Sequence, residues 1–237
     1  MNFDLTLWMK SYVENVKTTF CERIVFIGLQ GSYARGEATE NSDIDVVLIL
    51  DKASPEDLRI YGKMLDKLPE REKICGFISG IDEIIDWTRS DLFQFYYDTT
   101  PYYGSLDFLV PLIKKEDVIR AVRTQACDIY HICGHNIVHE KNGKILTALY
   151  KNAVFILQAD YYCKTGVFKR TKSELLPLLT NNSDREIMNS CIELYKNPEL
   201  SEKEFDKFSD KLFIWSSGLI RKFKGITRHK RWIRMQP

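Results

Sequence analysis

The sequence predicts an α/β (α+β) domain with a short mixed sheet over residues 1–113, followed by an all-α helical bundle over residues 114–237. Two patterns carry that prediction. Before residue 113, three apolar runs (Ile24 to Leu29, Ile44 to Leu50 and Ile74 to Ser79) are too short for helices, rich in β-branched residues and separated by stretches of helical period. From about Glu116 the strand signals stop and long segments of helical period take over. With 237 residues, 44% of them hydrophobic, the chain is long enough to bury well-formed cores.

Taken in order, residues 3–18 read as an amphipathic helix leading into the first strand. The second strand ends at Asp51. Ser54-Pro55-Glu56-Asp57 then supplies a capping hydroxyl, a proline at the first helical position and acids in the first turn. Leu58, Tyr61, Leu65 and Leu68 recur at helical spacing and are expected to lie on the sheet. Gly80 closes the third strand, and Ile81 to Trp87 reads as a short helix or turn. Phe93 to Tyr97 and Tyr102-Tyr103 flank Asp98-Thr99-Thr100-Pro101 and are predicted to form a small hairpin at the sheet edge.

The domain boundary is placed near Pro111 to Lys115. Beyond it, Leu146, Leu149, Tyr150, Ala153 and Leu157 form one apolar stripe, and Phe205, Phe208, Leu212, Trp215 and Leu219 form another. Thr165-Gly166 reads as a helix stop, Pro177 falls inside a short helix after Lys172, and Asn181 to Asp184 is a loop and cap. A ligand is expected to bind in a cleft between the two domains.

The net charge of +1 hides an asymmetry, because seven of the 34 Lys and Arg residues and none of the 33 acids fall between Arg221 and Arg234. This tail is read as a solvated helix end, with phosphate or nucleic-acid contact as the alternative. The N-terminus lacks a basic start followed by a long apolar stretch, and no apolar run approaches a membrane span. Six cysteines without a Cys-x-x-Cys pair fit reduced thiols, so a cytoplasmic protein without a membrane partner is expected.

The chemistry concentrates between the first two strands. Gly31-Ser32 follows the first strand, where the small Gly31 lets backbone approach a phosphate and the Ser32 hydroxyl and nearby amides can donate to it. Asp43 and Asp45 open the second strand, and alternation puts both carboxylates on one face with Cα atoms about 6.6 Å apart. Such a pair suits Mg²⁺, which takes one or two protein carboxylates and leaves its other positions to water and phosphate oxygens.

A Gly-Ser turn followed about ten residues later by Asp-x-Asp on a strand resembles the nucleotidyltransferase superfamily that includes DNA polymerase beta. The match here is Gly31, Ser32, Asp43 and Asp45. The strand Ile74 to Ser79, then Asp82 to Trp87, then Leu92 to Phe95, looks like the N-terminal domain of the streptomycin and spectinomycin adenylyltransferases. The segment from Tyr161 to Lys172 is similar to their helical domain. Together these matches reach about residue 180.

The resemblance implies a Mg²⁺-dependent transferase that moves a nucleoside monophosphate, AMP from ATP, to a hydroxyl of an aminoglycoside-like small molecule. It implies Asp43 and Asp45 as catalytic and metal-holding residues, and Gly31, Ser32, Arg35, Ser42 and Lys172 as nucleotide contacts. A regulatory module that binds nucleotide with little transfer, or a modifier of RNA or protein, is the alternative. The chain departs from the resembled enzymes at one position, since their third carboxylate, which deprotonates the acceptor, aligns with Cys75. That thiol is expected to be small, apolar and buried. Asp98, Glu83, Asp107 and the histidines of the second domain are the remaining candidates for a base.

His131, His135 and His139 align along one helix face at four-residue spacing. They read first as a partly buried polar face, with cleft contact and metal binding as alternatives. Tyr96, Tyr97, Tyr102 and Tyr103 read as edge packing, with an aromatic wall for a base or sugar as the alternative.

Overall fold

Asp4 opens helix α1 (Leu5–Phe20) by accepting from the amides of Thr6 and Leu7, which satisfies two of the four donors a helix start leaves open. In the computed structural model, which describes residues 3–40 and 42–223, α1 leads into strand β1 (Ile24–Gln30). A single helical turn, α2 (Gly31–Arg35), follows directly and ends at Gly36 in the left-handed conformation. Strand β2 (Ile44–Leu50) comes next, so the regular strand starts one residue after Asp43. Helix α3 (Pro55–Leu65) has the predicted start: Ser54 and Asp57 form a reciprocal capping box with proline in the first turn.

Strand β3 (Ile74–Gly80), the short helix α4 (Ile81–Asp86), helix α5 (Arg89–Asp98) and strand β4 (Thr100–Tyr103) complete the sheet layer. The expected hairpin is therefore half right, since Tyr102-Tyr103 is an edge strand but Phe93 to Tyr97 is helical. The reason is packing: Leu92 and Phe93 are fully buried, and Phe95 meets Phe77 edge-on with ring centroids 5.2 Å apart, so tertiary burial overrides the β preference of the aromatics.

The sheet order is β3-β2-β1-β4, with β2–β3 parallel and the other two pairs antiparallel, a short mixed sheet as predicted. Its two faces are covered separately. Trp8, Met9, Tyr12, Tyr61 and Met64 from α1 and α3 pack on Ile27, Leu29, Val46 and Leu48. Ile84, Leu92, Leu106 and Leu109 pack on Phe26, Val47 and Ile49 from the other side. Each large apolar side chain buried this way contributes about 1.5–3 kcal/mol relative to exposure. Leu58 does not join the core and is 47% exposed, because α3 turns Tyr61, Met64 and Leu65 inward instead.

The chain divides into two units, the first ending at Lys114 and the second beginning at Lys115. The second is helical: α6 (Lys115–His135), a π-turn at Asn136–Glu140, α7 (Gly143–Thr165), the short α8 (Lys172–Leu175), α9 (Asn182–Lys196), the short α10 (Leu200–Lys203) and α11 (Phe205–Lys222). The predicted stripe on α7 is buried throughout, and that on α11 is buried except for the half-buried Phe205. Tyr150 ties the two helices by donating to the Phe208 carbonyl at 2.8 Å. No helix of the described residues is long and apolar enough to cross a membrane. The basic tail lies outside the described residues from position 224. Before that point Arg221 donates to Ser217 and Lys222 pairs with the buried Asp160 at 2.8 Å.

Candidate functional site

The candidate site forms at the end of the sheet where β1 finishes and β2 begins. The register places Gln30 of β1, Asp45 of β2 and Cys75 of β3 in one row across three strands, about 4.8 Å apart strand to strand. Asp45 has the parity of Val47 and Ile49, so its side chain belongs to the face that α5 covers. Asp43 is exposed immediately ahead of the strand, and Asp45 is half-buried.

Gly31 is the pivot of the turn that crosses this row. Its φ of +71° lies in the left-handed region, and a Cβ built on it would sit 1.9 Å from Oδ2 of Asp45. Only a residue without a side chain lets the Asp45 carboxylate lie against the backbone here. The same Gly31 donates its amide to Oδ2 of Asp98 at 3.3 Å. Ser32 is half-buried behind it, and its carbonyl accepts from the Glu37 amide at 2.9 Å, which closes the turn.

Other predicted contacts are engaged within the protein. Arg35 is largely buried, donates to both oxygens of Asp98 at 2.6 and 2.7 Å, and reaches Glu37 at 3.4 Å. The Ser42 hydroxyl accepts from the Thr39 amide at 2.9 Å while the Ser42 amide donates back to the Thr39 carbonyl at 3.0 Å, so Ser42 braces the loop before Asp43. Lys172 lies in the helical unit at the start of α8, with its ammonium 5.7 Å from the Tyr195 ring centroid.

Cys75 is exposed, not buried, because the row ends at β3, the sheet's outermost strand on that side. Its neighbour Gly76 has a φ of +142°, and a Cβ there would lie 1.9 Å from the Val46 carbonyl oxygen, so the β2–β3 pairing beside the thiol depends on glycine. The candidate bases separate on geometry. Glu83 folds over Gly80, which pairs with Leu50, five residues and about 16 Å along the strand from the Asp45 row. Asp107 accepts from the Tyr96 hydroxyl at 3.0 Å. Asp98 is at the loop, with both oxygens on the Arg35 guanidinium.

His131, His135 and His139 are all exposed, which corrects the expected partly buried face, and the His135 and His139 rings are 4.7 Å apart. Tyr102 and Tyr103 are each 41% exposed, and the Lys17 ammonium sits 4.6 Å from the Tyr103 ring centroid. A groove of about 720 Å³ in the helical unit, lined by Lys164, Asp184, Lys211, Trp215 and Lys222 among others, includes none of the predicted site residues.

Among the described residues no group of three or more His, Cys, Asp or Glu side chains is arranged to hold a metal ion. Of the carboxylates near the turn, Asp98 is engaged by Arg35 and Gly31, and the predicted ligands are Asp45, which lies against Gly31, and Asp43, two residues before it. Hard oxygens in that number fit Mg²⁺, which binds through one or two carboxylates when phosphates supply further ligands, and do not fit a closed transition-metal cage. The sequence singles out Gly31 and Asp45, which the structure brings into contact, but gives little sign of the Arg35–Asp98 pair. Its partners are 63 residues apart, and the only local hint was an acid where α5 ends.

Residues 13–124 match the nucleotidyltransferase domain family. A protein of Methanocaldococcus jannaschii, named for a proposed protein adenylyltransferase activity, is 34% identical over 73 residues, covering 28% of this chain and 73% of that protein. The crystal structure of spectinomycin adenyltransferase AAD(9) from Enterococcus faecialis, solved with ATP and spectinomycin, superimposes with a TM-score of 0.53 at 12% identity. That match covers 88% of this chain and 99% of the other, and it shows a shared fold.

Proposed function

Because the chain belongs to the nucleotidyltransferase family, we propose that this transferase moves AMP from ATP to an acceptor hydroxyl, using the Gly31–Ser32 turn and the carboxylates of Asp43 and Asp45. The observation that carries the reading is the contact between Asp45 and Gly31, which joins a metal-binding type of side chain to a phosphate-binding type of backbone. Asp43 and Asp45 would hold the ion. Mg²⁺, when bound, neutralises charge on the triphosphate and on the group being transferred. Ser32 and the turn amides would orient the phosphates, leaving the α-phosphorus open to in-line attack with pyrophosphate as the leaving group.

A small-molecule hydroxyl is the preferred acceptor, by the shared fold with an antibiotic-modifying enzyme. A protein hydroxyl is the alternative that the archaeal relative favours. The cytoplasm, where the thiols stay reduced, is the proposed location.

Cys75 supports a second reading, a nucleotide-binding module with weak transfer. The row beside Asp45 offers a thiol where a carboxylate would serve as general base, and general bases contribute about 10²- to 10⁴-fold. Pyrophosphate release from MgATP, measured over a panel of aminoglycosides and hydroxyl-bearing protein acceptors beside MgATP-induced thermal stabilisation, separates the two. Release with an acceptor supports the transferase, stabilisation without release supports the module, and neither response overturns both.

A further inference from the structure

Asp98 breaks two rules of placement. It is the last residue of α5, where the helix dipole disfavours a negative charge, and it is 8% exposed, where a carboxylate loses its hydration. A residue kept in such a place needs a compensating structure, and its contacts supply one. Both oxygens accept from Arg35 at the end of α2, and Oδ2 also accepts from the Gly31 amide at the start of α2. One carboxylate thus grips the turn at both ends.

The grip is reinforced from the adjacent residues. The Gln30 side-chain amide donates to the Thr99 hydroxyl at 2.6 Å and to the Phe95 carbonyl at 3.2 Å, which fixes the last turn of α5 to the end of β1. Thr100 pairs with Leu29 across the β1–β4 ladder. The C-terminal end of α5 is therefore registered on β1, and through Asp98 it registers the Gly31–Arg35 turn. Gly31 in turn carries the Asp45 carboxylate against its Cα, so any shift of the turn moves the seat of Asp45.

We propose that Asp98 is a positioning residue, which holds the Gly31–Arg35 turn in the shape that accepts a metal-bound triphosphate through its hydrogen bonds to Gly31 and Arg35. This inference rests on the reading of the turn as the triphosphate site. It assigns Arg35 the same supporting task in place of direct phosphate contact. It also takes Asp98 out of the candidate bases, because both of its oxygens already accept hydrogen bonds from Arg35 and Oδ2 accepts from the Gly31 amide as well.

The test uses the full chain and two probes, MgATP and magnesium tripolyphosphate, titrated calorimetrically into the wild type, Asp98→Ala and Asp98→Asn at a temperature well below unfolding. The wild type is expected to bind both probes. Asp98→Ala is expected to weaken both about tenfold to a hundredfold, the size of losing a charge-assisted hydrogen-bond pair. Asp98→Asn keeps the shape and one acceptor oxygen and falls in between. A residue that matters only for folding would lower the unfolding temperature and leave both affinities unchanged, and that result overturns the proposal. Tighter binding by either variant also overturns it, because Asp98 would then be competing with phosphate for Gly31 and Arg35. If Asp98→Ala does not fold, the Asp98→Asn affinities decide alone. Absence of binding by the wild type overturns the reading of the site and this inference together, whereas wild-type binding with unchanged variants overturns the inference only.

Discussion

Replacing Gly31 with alanine tests the junction of turn and carboxylate. An L-residue in the left-handed region costs about 1–2 kcal/mol. The new Cβ would meet Oδ2 of Asp45 at 1.9 Å and its Cγ at 2.9 Å, distances that no side chain tolerates, so the carboxylate must swing away. An off-rotamer side chain adds about 0.5–1.5 kcal/mol, for a total of about 1.5–3.5 kcal/mol. At about 2–4 °C per kcal/mol for a chain of this size, the unfolding temperature of Gly31→Ala should fall by about 3–14 °C. Function should suffer more than stability, because the displaced group is the proposed metal ligand. Differential scanning fluorimetry with and without MgATP reads both effects in one plate. The variant should unfold earlier and lose most of the nucleotide-dependent shift. An unchanged midpoint with an undiminished MgATP shift would refute the claim that Gly31 is required by its contact with Asp45.

Two further predictions come from other residues. Cys75→Glu restores a carboxylate beside Asp45 and should raise pyrophosphate release about 10²- to 10⁴-fold with MgATP affinity little altered, measured by coupled pyrophosphate assay; no gain would mean that a base at this row does not limit transfer. Asp57, held well below the usual carboxylate range by the Arg23 guanidinium and then by the Ser54 hydroxyl, stabilises the fold most fully above its unfolded value of about 3.9, and that contribution is lost as pH falls toward its lower folded value. Asp57→Ala should therefore cost about 1–2 kcal/mol at pH 7 and progressively less below pH about 4 in urea titrations, and a difference that does not depend on pH would contradict the assignment.

What the sequence made legible was local. The strands showed as short β-branched runs, the start of α3 as Ser54-Pro55, and the turn and carboxylates as Gly31-Ser32 and Asp43-x-Asp45, each a signal carried by a few neighbouring residues. What it hid depended on distance along the chain. Phe93 to Tyr97 carries β-favouring aromatics, and only the contacts with Phe77 and the α5-covered face of the sheet make it a helix. The exposure of Cys75 follows from β3 being an outer strand, a property of sheet order that one strand's composition does not encode. Arg35 reads as a phosphate contact from its place in the turn, and the carboxylate it pairs with, Asp98, is 63 residues further along the chain. His131 and His135 lie on α6 and His139 on the π-turn that follows, and their four-residue spacing does not say that all three are exposed.

On the proposed function, Gly31, Asp43 and Asp45 together form a metal-dependent nucleotide site. Calorimetric titration of ATP, with and without Mg²⁺, into the wild type and the Asp43→Asn/Asp45→Asn double variant tests it most directly. Wild-type binding that requires Mg²⁺ is expected, with a loss of about tenfold or more in the double variant, which corresponds to at least about 1.4 kcal/mol. Equal affinity in the two proteins, or binding indifferent to Mg²⁺, would contradict it.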